Sequence, residues 1–209
     1  LAMDAAGLAA DYLATMHVVD SIDVKEVEIM QPDGNMVLDQ TTLRNLELTQ
    51  TLAGEKEGSL LGAIDRCRTS MGRRMLKQWI LRPLANKEKI EERQDAVASL
   101  ARSSRRLDDI RNSLRGLRDL ERLATQLSYN RSGGRDIVAI GLALERMPKI
   151  KLLCQEMDDE LLNTISSDLD ILEMMRIDIQ ANLNDVQPLS LRDGGLIREG
   201  VDSKLDELR

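Results

Sequence analysis

Phenylalanine is absent from this chain of 209 residues, tryptophan occurs once, at Trp79, and tyrosine only at Tyr12 and Tyr129. A chain so poor in aromatics offers no platform on which nucleic-acid bases could stack. Its core has to be built from Leu, Ile, Val, Met and Ala, a palette suited to helices packed on helices. Cysteine is scarce as well: Cys67 and Cys154 stand far apart with no Cys-x-x-Cys, which fits a reducing compartment in which both thiols stay free. His17 is the single histidine, so no HExxH helix and no His and Cys cluster can be read. No apolar run approaches the roughly 18 to 20 residues that a bilayer span needs, and the start lacks a basic, then apolar, signal layout. The expectation is a cytoplasmic protein with no membrane partner.

Phosphate-binding loops are missing too. There is no GxxxxGK[ST], and the nearest imitation, "GEKEGS" at 54–59, puts two carboxylates where phosphates would have to sit. There is no GxSxG. Neighbouring acids such as Asp108 with Asp109, or Glu91 with Glu92, point about 100° apart on a helix and read as solvated faces. The chain itself is therefore expected not to be an enzyme, and no catalytic, cofactor-binding or metal-binding residue is nominated.

What is present is helical pattern. Hydrophobic residues make up 42% and charged residues 31%, arranged so that most segments have one apolar and one wet face. Residues 1–19 read as a helix with Leu8, Tyr12 and either Met16 or Val19 along one side. Between Lys25 and Asp39 the period changes to two, and "EVEIM", a "PDGN" turn and "MVLD" predict a short β-hairpin. A short helical turn follows at "TTLRNLELTQ", then a polar loop at 53–58. From Leu60 onward the pattern is helical almost to the end.

Leu60, Leu61 and Ile64 form one short helix. Thr69 or Ser70 caps the next, with Met71, Met75, Leu76, Trp79 and Ile80 inward and Trp79 as a packing anchor, until Pro83 ends it. Asn86 caps a helix with Ile90, Val97 and Leu100 inward. Leu107 to Leu117 and Leu120 to Leu127 follow, with a break at Gly116 and a turn at 131–136. A helix is expected from about Ile137 to Met147, and another in which Ile165, Leu169, Leu172, Ile179 and Leu183 recur. "LSLRDGGLIREG" at 189–200 reads as a tight Asp-Gly-Gly turn between two extended segments, before Asp202 or Ser203 caps a last helix. The fold class expected is mainly α: a multi-helix bundle with a small β-hairpin near the N-terminus and a short extended turn near the C-terminus. That last helix has only begun its apolar stripe, with Leu205 and Leu208, so the chain is expected to be a piece of something larger.

Charge is distributed unevenly. Residues 66–135 hold 18 Lys and Arg against 8 Asp and Glu, a local balance of +10, while the remainder holds 11 against 28, or −17. Such a segment could track a nucleic-acid backbone, or it could pair with the acidic remainder inside one fold. The question is sharpest in "SMGRRMLKQWILRP" at 70–83, where two arginines occupy the first turn of a helix. A helix start carries partial positive charge, so an anion should answer them. Arg73, Arg74 and Lys77 are the candidate phosphate contacts; a carboxylate from the acidic remainder is the other answer.

Several blocks resemble the MutS family of DNA mismatch repair proteins in order and spacing: "LDQTTLRNLELTQTLAG" at 38–54, "SLLGAIDRCRTSMGRRMLKQWILRPL" at 59–84, "IEERQDAVASL" at 90–100, "LRDLERL" at 117–123 and "RDGGLIREGVDSKLDELR" at 192–209. The stretch from about 140 to 185 is similar only in helical character. The resemblance implies a core, or lever, domain of such a protein. Residues 1–19 would be the helix from the connector side, 20–201 the core domain, and 202–209 the start of the lever helix leading to a clamp. It also implies a role coupling ATP state to clamp closure on mismatched double-stranded DNA, within a parent that is a DNA-dependent ATPase. ATP and Mg would bind the parent's ATPase domain, which would also form the homodimer, and a MutL-type repair protein would be a partner. The family's Phe-x-Glu wedge cannot exist in a chain without Phe. The alternative reading is an autonomous helical nucleic-acid-binding module using the basic segment 66–135.

Overall fold

Helices in this chain start where a short polar side chain can accept from an otherwise orphaned N–H, and stop where glycine, proline or a change of direction intervenes. The structure, a computed structural model, describes residues 7, 8, 12, 34–188 and 193–208. It divides into two units, Leu1–Gly34 and Asn35–Arg209. In the first, Gly7, Leu8 and Tyr12 are helical, while Met16 and Val19 of the expected 1–19 helix lie outside the described residues.

In the second unit, α1 (Gln40–Asn45) starts at Asp39, whose carboxylate accepts the Thr42 N–H at 2.6 Å. α2 (Leu60–Ile64) starts at Ser59, a fully buried hydroxyl that accepts the Gly62 N–H and donates to the Lys56 carbonyl at 2.6 Å. The Leu60 and Leu61 N–H groups donate to the carbonyls of Glu47 and Leu48 at 3.1 and 2.9 Å, so the loop ahead of α2 answers its orphan donors. α3 (Ser70–Leu81) is capped by Thr69 and α4 (Lys87–Arg102) by Asn86, which accepts the Lys89 N–H at 2.8 Å. α5 (Ser104–Leu114) follows a break at Ser103, and α6 (Leu120–Ser128) is capped by Asp119. α7 (Gly134–Leu144), α8 (Met147–Gln155), α9 (Glu160–Asp168), α10 (Glu173–Asn182) and α11 (Ser203–Glu207) complete the order. None of the described helices is long and apolar enough to cross a membrane.

α4 to α10 form the bundle. α9 lies along α8 and α4, α5 along α8 and α4, and α6 and α10 against α7. Its main core gathers Leu123 of α6, Ala139, Ile140, Ala143 and Leu144 of α7 and Met147 of α8, flanked by Leu117, Leu120, Ile150, Leu169, Ile171 and Ile179. A second core joins Ala96 of α4 to Met157 and Leu162. Polar ties lock α9 to α8: the buried Ser166 hydroxyl donates to the Lys151 carbonyl at 3.1 Å and Lys151 Nζ to the Leu169 carbonyl at 2.8 Å.

Four expectations need correction. No strand occurs among the described residues, so the β-hairpin is not supported. Its first arm, 26–30, lies outside them, while Asn35 forms an isolated antiparallel bridge with Leu84 and Met36 N–H donates to the Pro83 carbonyl at 2.8 Å. Met36 and Val37 are 53% and 79% exposed, so the alternation there has no core to bury, and an isolated hairpin is marginal in water.

The single helical stripe at 165–183 is two helices. Asp170 accepts the Leu172 N–H at 2.9 Å, and Leu172 takes a left-handed φ of 45°, which turns α10 back onto α7. Val97, expected inside, is 66% exposed; the inward face of α4 carries Ala96 and Ser99, small side chains that let a neighbour approach, with Leu100 packed against the second core as expected. Finally, α3 has no buried residue: Met75 and Trp79 are 54% and 43% exposed, and Trp79 is therefore not a core anchor.

Near the C-terminus the Asp-Gly-Gly turn is present, with Gly194 and Gly195 at φ 67° and 74°, values that favour glycine. Residues 189–192, the first extended segment, lie outside the described residues. The second pairs with the end of α10: Leu183 bridges Ile197, Asn184 N–H donates to the Leu196 carbonyl at 3.1 Å and Arg198 N–H to the Asn182 carbonyl at 2.9 Å. Asp202 then caps α11, accepting the Lys204 and Leu205 N–H groups.

Candidate functional site

The first turn of α3 carries the charge conflict that the sequence poses, and two carboxylates resolve it. Arg73 Nε lies 2.9 Å from Asp65 Oδ2, which also takes Lys56 Nζ at 2.7 Å, while Asp65 Oδ1 accepts the Cys67 N–H at 3.2 Å. The Asp65 side chain is only 5% exposed. The Lys56 hydrogen bond, helped by the Cys67 N–H and by the Arg73 charge, outweighs burial and lowers its pKa to about 2. Burial, with Asp65 alongside, pushes the Cys67 thiol up, away from nucleophilic behaviour. Both cysteines are free.

Arg74 meets a different carboxylate, Asp119. Its two terminal nitrogens form a fork on both carboxylate oxygens, one at 2.8 Å, and the second nitrogen also reaches Glu121. Asp119 accepts the Ser70 hydroxyl at 3.1 Å and, as the cap of α6, the Arg122 N–H at 3.2 Å. One carboxylate thus faces the N-terminal ends of two helices, where negative charge is favoured. The Arg74 fork, then the Arg122 N–H and the Ser70 hydroxyl, hold the Asp119 carboxyl well below the usual range, and the Arg74 guanidinium is raised correspondingly.

Lys77, the third candidate, is exposed and has no ion pair among the described residues. The answering anions are partly a surprise. Asp65 belongs to the acidic remainder, but Asp119 and Glu121 lie within the basic segment itself. Asp119, Glu121 and Asp65 were not singled out by sequence reasoning; the usable signal was the capping position of Asp119 ahead of "LERL".

Trp79 has a different partner. Arg93 of α4 lies over its ring, 3.7 Å from the centroid, so the half-exposed indole holds a cation instead of filling a core. Elsewhere in the basic segment Lys87, Arg106, Arg111 and Arg118 pair with Glu91, Glu156, Asp108 and Asp136. Arg68, Lys89, Arg102, Arg105, Arg115 and Arg122 are exposed with no ion pair among the described residues. The same residues hold no group of three His, Cys, Asp or Glu side chains placed to bind a metal ion.

Comparison with known proteins places these elements in a family. The family model described as MutS domain III matches residues 41–208. Among curated relatives, the DNA mismatch repair protein MutS of Desulforamulus reducens is 37% identical over 206 residues, covering 98% of this chain and 24% of the relative. That of Halothermothrix orenii is 41% identical over 175 residues, covering 83% and 20%, and that of Synechococcus elongatus 39% over 210 residues, covering 100% and 24%. The chain spans about a quarter of the length of the relatives it matches.

Proposed function

The chain belongs to the MutS family of DNA mismatch repair proteins, and from that membership we propose that it is the core, or lever, domain of such a protein. On this reading residues 20–201 are the lever body, 1–19 its link to a connector, and 202–209 the start of the arm toward a clamp. It relays nucleotide state from an ATPase domain to clamp closure on mismatched double-stranded DNA. The observation that carries the reading is the unbroken packing from α6 through α7 to α10, continued by the Leu183–Ile197 bridge to the segment that enters α11. Packed helices move as units between discrete arrangements, because close-packed interfaces do not deform continuously.

The domain is then non-enzymatic in itself, and the parent is a cytoplasmic DNA-dependent ATPase. ATP and Mg bind its ATPase domain, which also makes the homodimer, and a MutL-type protein is its repair partner. The test is insertion of flexible glycines after Asp202 in the full-length protein. Mismatch affinity without nucleotide should persist while ATP no longer speeds release from DNA; unchanged coupling would sink the lever reading.

A second reading is favoured by the exposed, unpaired cations of the basic segment: direct contact with nucleic-acid phosphate, in which Lys77, and Arg73 and Arg74 once released from their carboxylates, take part. Fluorescence anisotropy of this domain with labelled perfect and mismatched duplexes separates the two. Phosphate contact predicts affinity falling about one power of salt per neutralised phosphate, whereas a lever predicts little binding at any salt.

A further inference from the structure

Within the Asn35–Arg209 unit, α3 packs against α2 but has no run of contact along any bundle helix comparable to those inside the bundle. Two polar contacts join it to the bundle. At one end Arg74 forks onto Asp119 and reaches Glu121, with the Ser70 hydroxyl on the same carboxylate at 3.1 Å; at the other, Trp79 lies under Arg93. A guanidinium–carboxylate fork is directional, so it fixes the orientation of the two groups that it joins.

From Asp119 the contacts run on through the bundle. Asp119 caps α6, whose Leu120 and Leu123 sit in the core with Ala139 and Ala143 of α7. On α7, Gly141 admits Ile179 of α10 so closely that a Cβ there would lie 2.8 Å from Ile179 Cγ2. Leu183, just past α10, bridges Ile197, and Arg198 Nε donates to the Leu183 carbonyl at 2.6 Å on the approach to α11.

We propose that the Arg74–Asp119 pair, seconded by Ser70 and Glu121, is the joint through which displacement of the 35–84 segment enters the bundle. Arg74 and Asp119 are positioning residues for the coupling between nucleotide and DNA, and Asp119 transmits because it is at once the partner of α3 and the cap of α6. This rests on the lever reading above.

The test uses a full-length MutS-family protein carrying this sequence, with Arg74→Ala, Arg74→Lys and Asp119→Ser. Serine keeps an oxygen able to cap α6 while removing the carboxylate. Expected is ATP-triggered release slowed by about fivefold or more, within the usual range of coupling between sites, with Asp119→Ser, which removes no candidate phosphate contact, keeping mismatched-duplex affinity without nucleotide within about twofold of the unsubstituted protein. Arg74→Lys, which keeps the charge and loses the fork, falls between. The double variant is no worse than either single one, since both remove one interaction.

Thermal melting of each variant identifies any loss that comes from unfolding. Folded variants releasing DNA at the unsubstituted rate, or single effects that simply add, overturn the joint. Should glycine insertion after Asp202 uncouple the protein while these variants do not, the joint is wrong and the lever stands. Insertion without effect refutes the lever itself, whatever the arginine variants do.

Discussion

Asp65→Asn is the substitution whose consequence can be worked furthest from the structure. The carboxylate takes Lys56 Nζ at 2.7 Å, Arg73 Nε at 2.9 Å and the Cys67 N–H at 3.2 Å, tying the 53–58 loop to α3. Asparagine keeps one acceptor oxygen and loses the charge. Hydrogen bonds to charged groups contribute about 1.5–3 kcal/mol each, but that range overstates this case. Lys56 and Arg73 are 49% and 58% exposed and rehydrate when released, so no buried cation is stranded. The expected cost is about 1–2 kcal/mol. That corresponds to a fall in Tm of roughly 2–8 °C for a unit of this size.

The pH dependence fixes the cause. A carboxyl whose folded pKa is lowered from 3.8 to about 2 stabilises the fold fully above the unfolded value and loses that contribution as pH falls through the folded one. The difference between the two proteins should therefore be constant from about pH 5 to pH 7 and shrink by about half near pH 3. Urea midpoints at several pH values measure it. A cost that stays the same at low pH, or that grows, refutes the electrostatic account of Asp65.

Two further outcomes follow from close contacts. Gly62→Ala would place a Cβ 2.3 Å from the Lys56 carbonyl oxygen, a backbone atom held by Ser59, and should cost about 2–3 kcal/mol by overpacking. Hydrogen exchange should rise at Leu60 and Leu61, and unchanged protection there would contradict the packing. Because Trp79 is the single tryptophan, tryptophan fluorescence reports the surroundings of this one indole, over which Arg93 lies. Arg93→Ala should increase quenching by iodide and cost about 0.5–1 kcal/mol, and identical quenching would mean that the guanidinium does not cover the ring.

Local signals were legible in the sequence. Thr69, Asn86 and Asp202 cap the helices they precede because a cap is a contact between residues two or three apart. The mainly helical class followed from the aliphatic palette and the spacing of Leu, and the Asp-Gly-Gly turn from the conformational freedom of glycine. The blocks around 38–84 and 192–209 carried the family resemblance. The candidate site was half legible: the conflict of Arg73 and Arg74 at a helix start was plain, but the identity of the answering anions was not.

The remainder was decided by tertiary structure, and the reason is distance along the chain. Asp119 meets Arg74 from 45 residues away, and no short-range pattern marks one carboxylate over another as the partner. The stripe at 165–183 satisfies helical spacing throughout. The packing of α10 against α7, with the Asp170 carboxylate accepting the Leu172 N–H, offsets the left-handed turn at Leu172, a conformation that costs a leucine about 1–2 kcal/mol. In the same way the large apolar side chains of α3 and α4 mark a stripe, yet burial goes where a neighbour is. Ala96 and Ser99 are covered because a helix lies there, and Trp79 stays half exposed because what reaches it from α4 is the Arg93 guanidinium and not an apolar face. Sequence by itself determines where helices begin and what they could bury; which face finds a partner is set by elements far away, through contacts that exist only once the chain has folded.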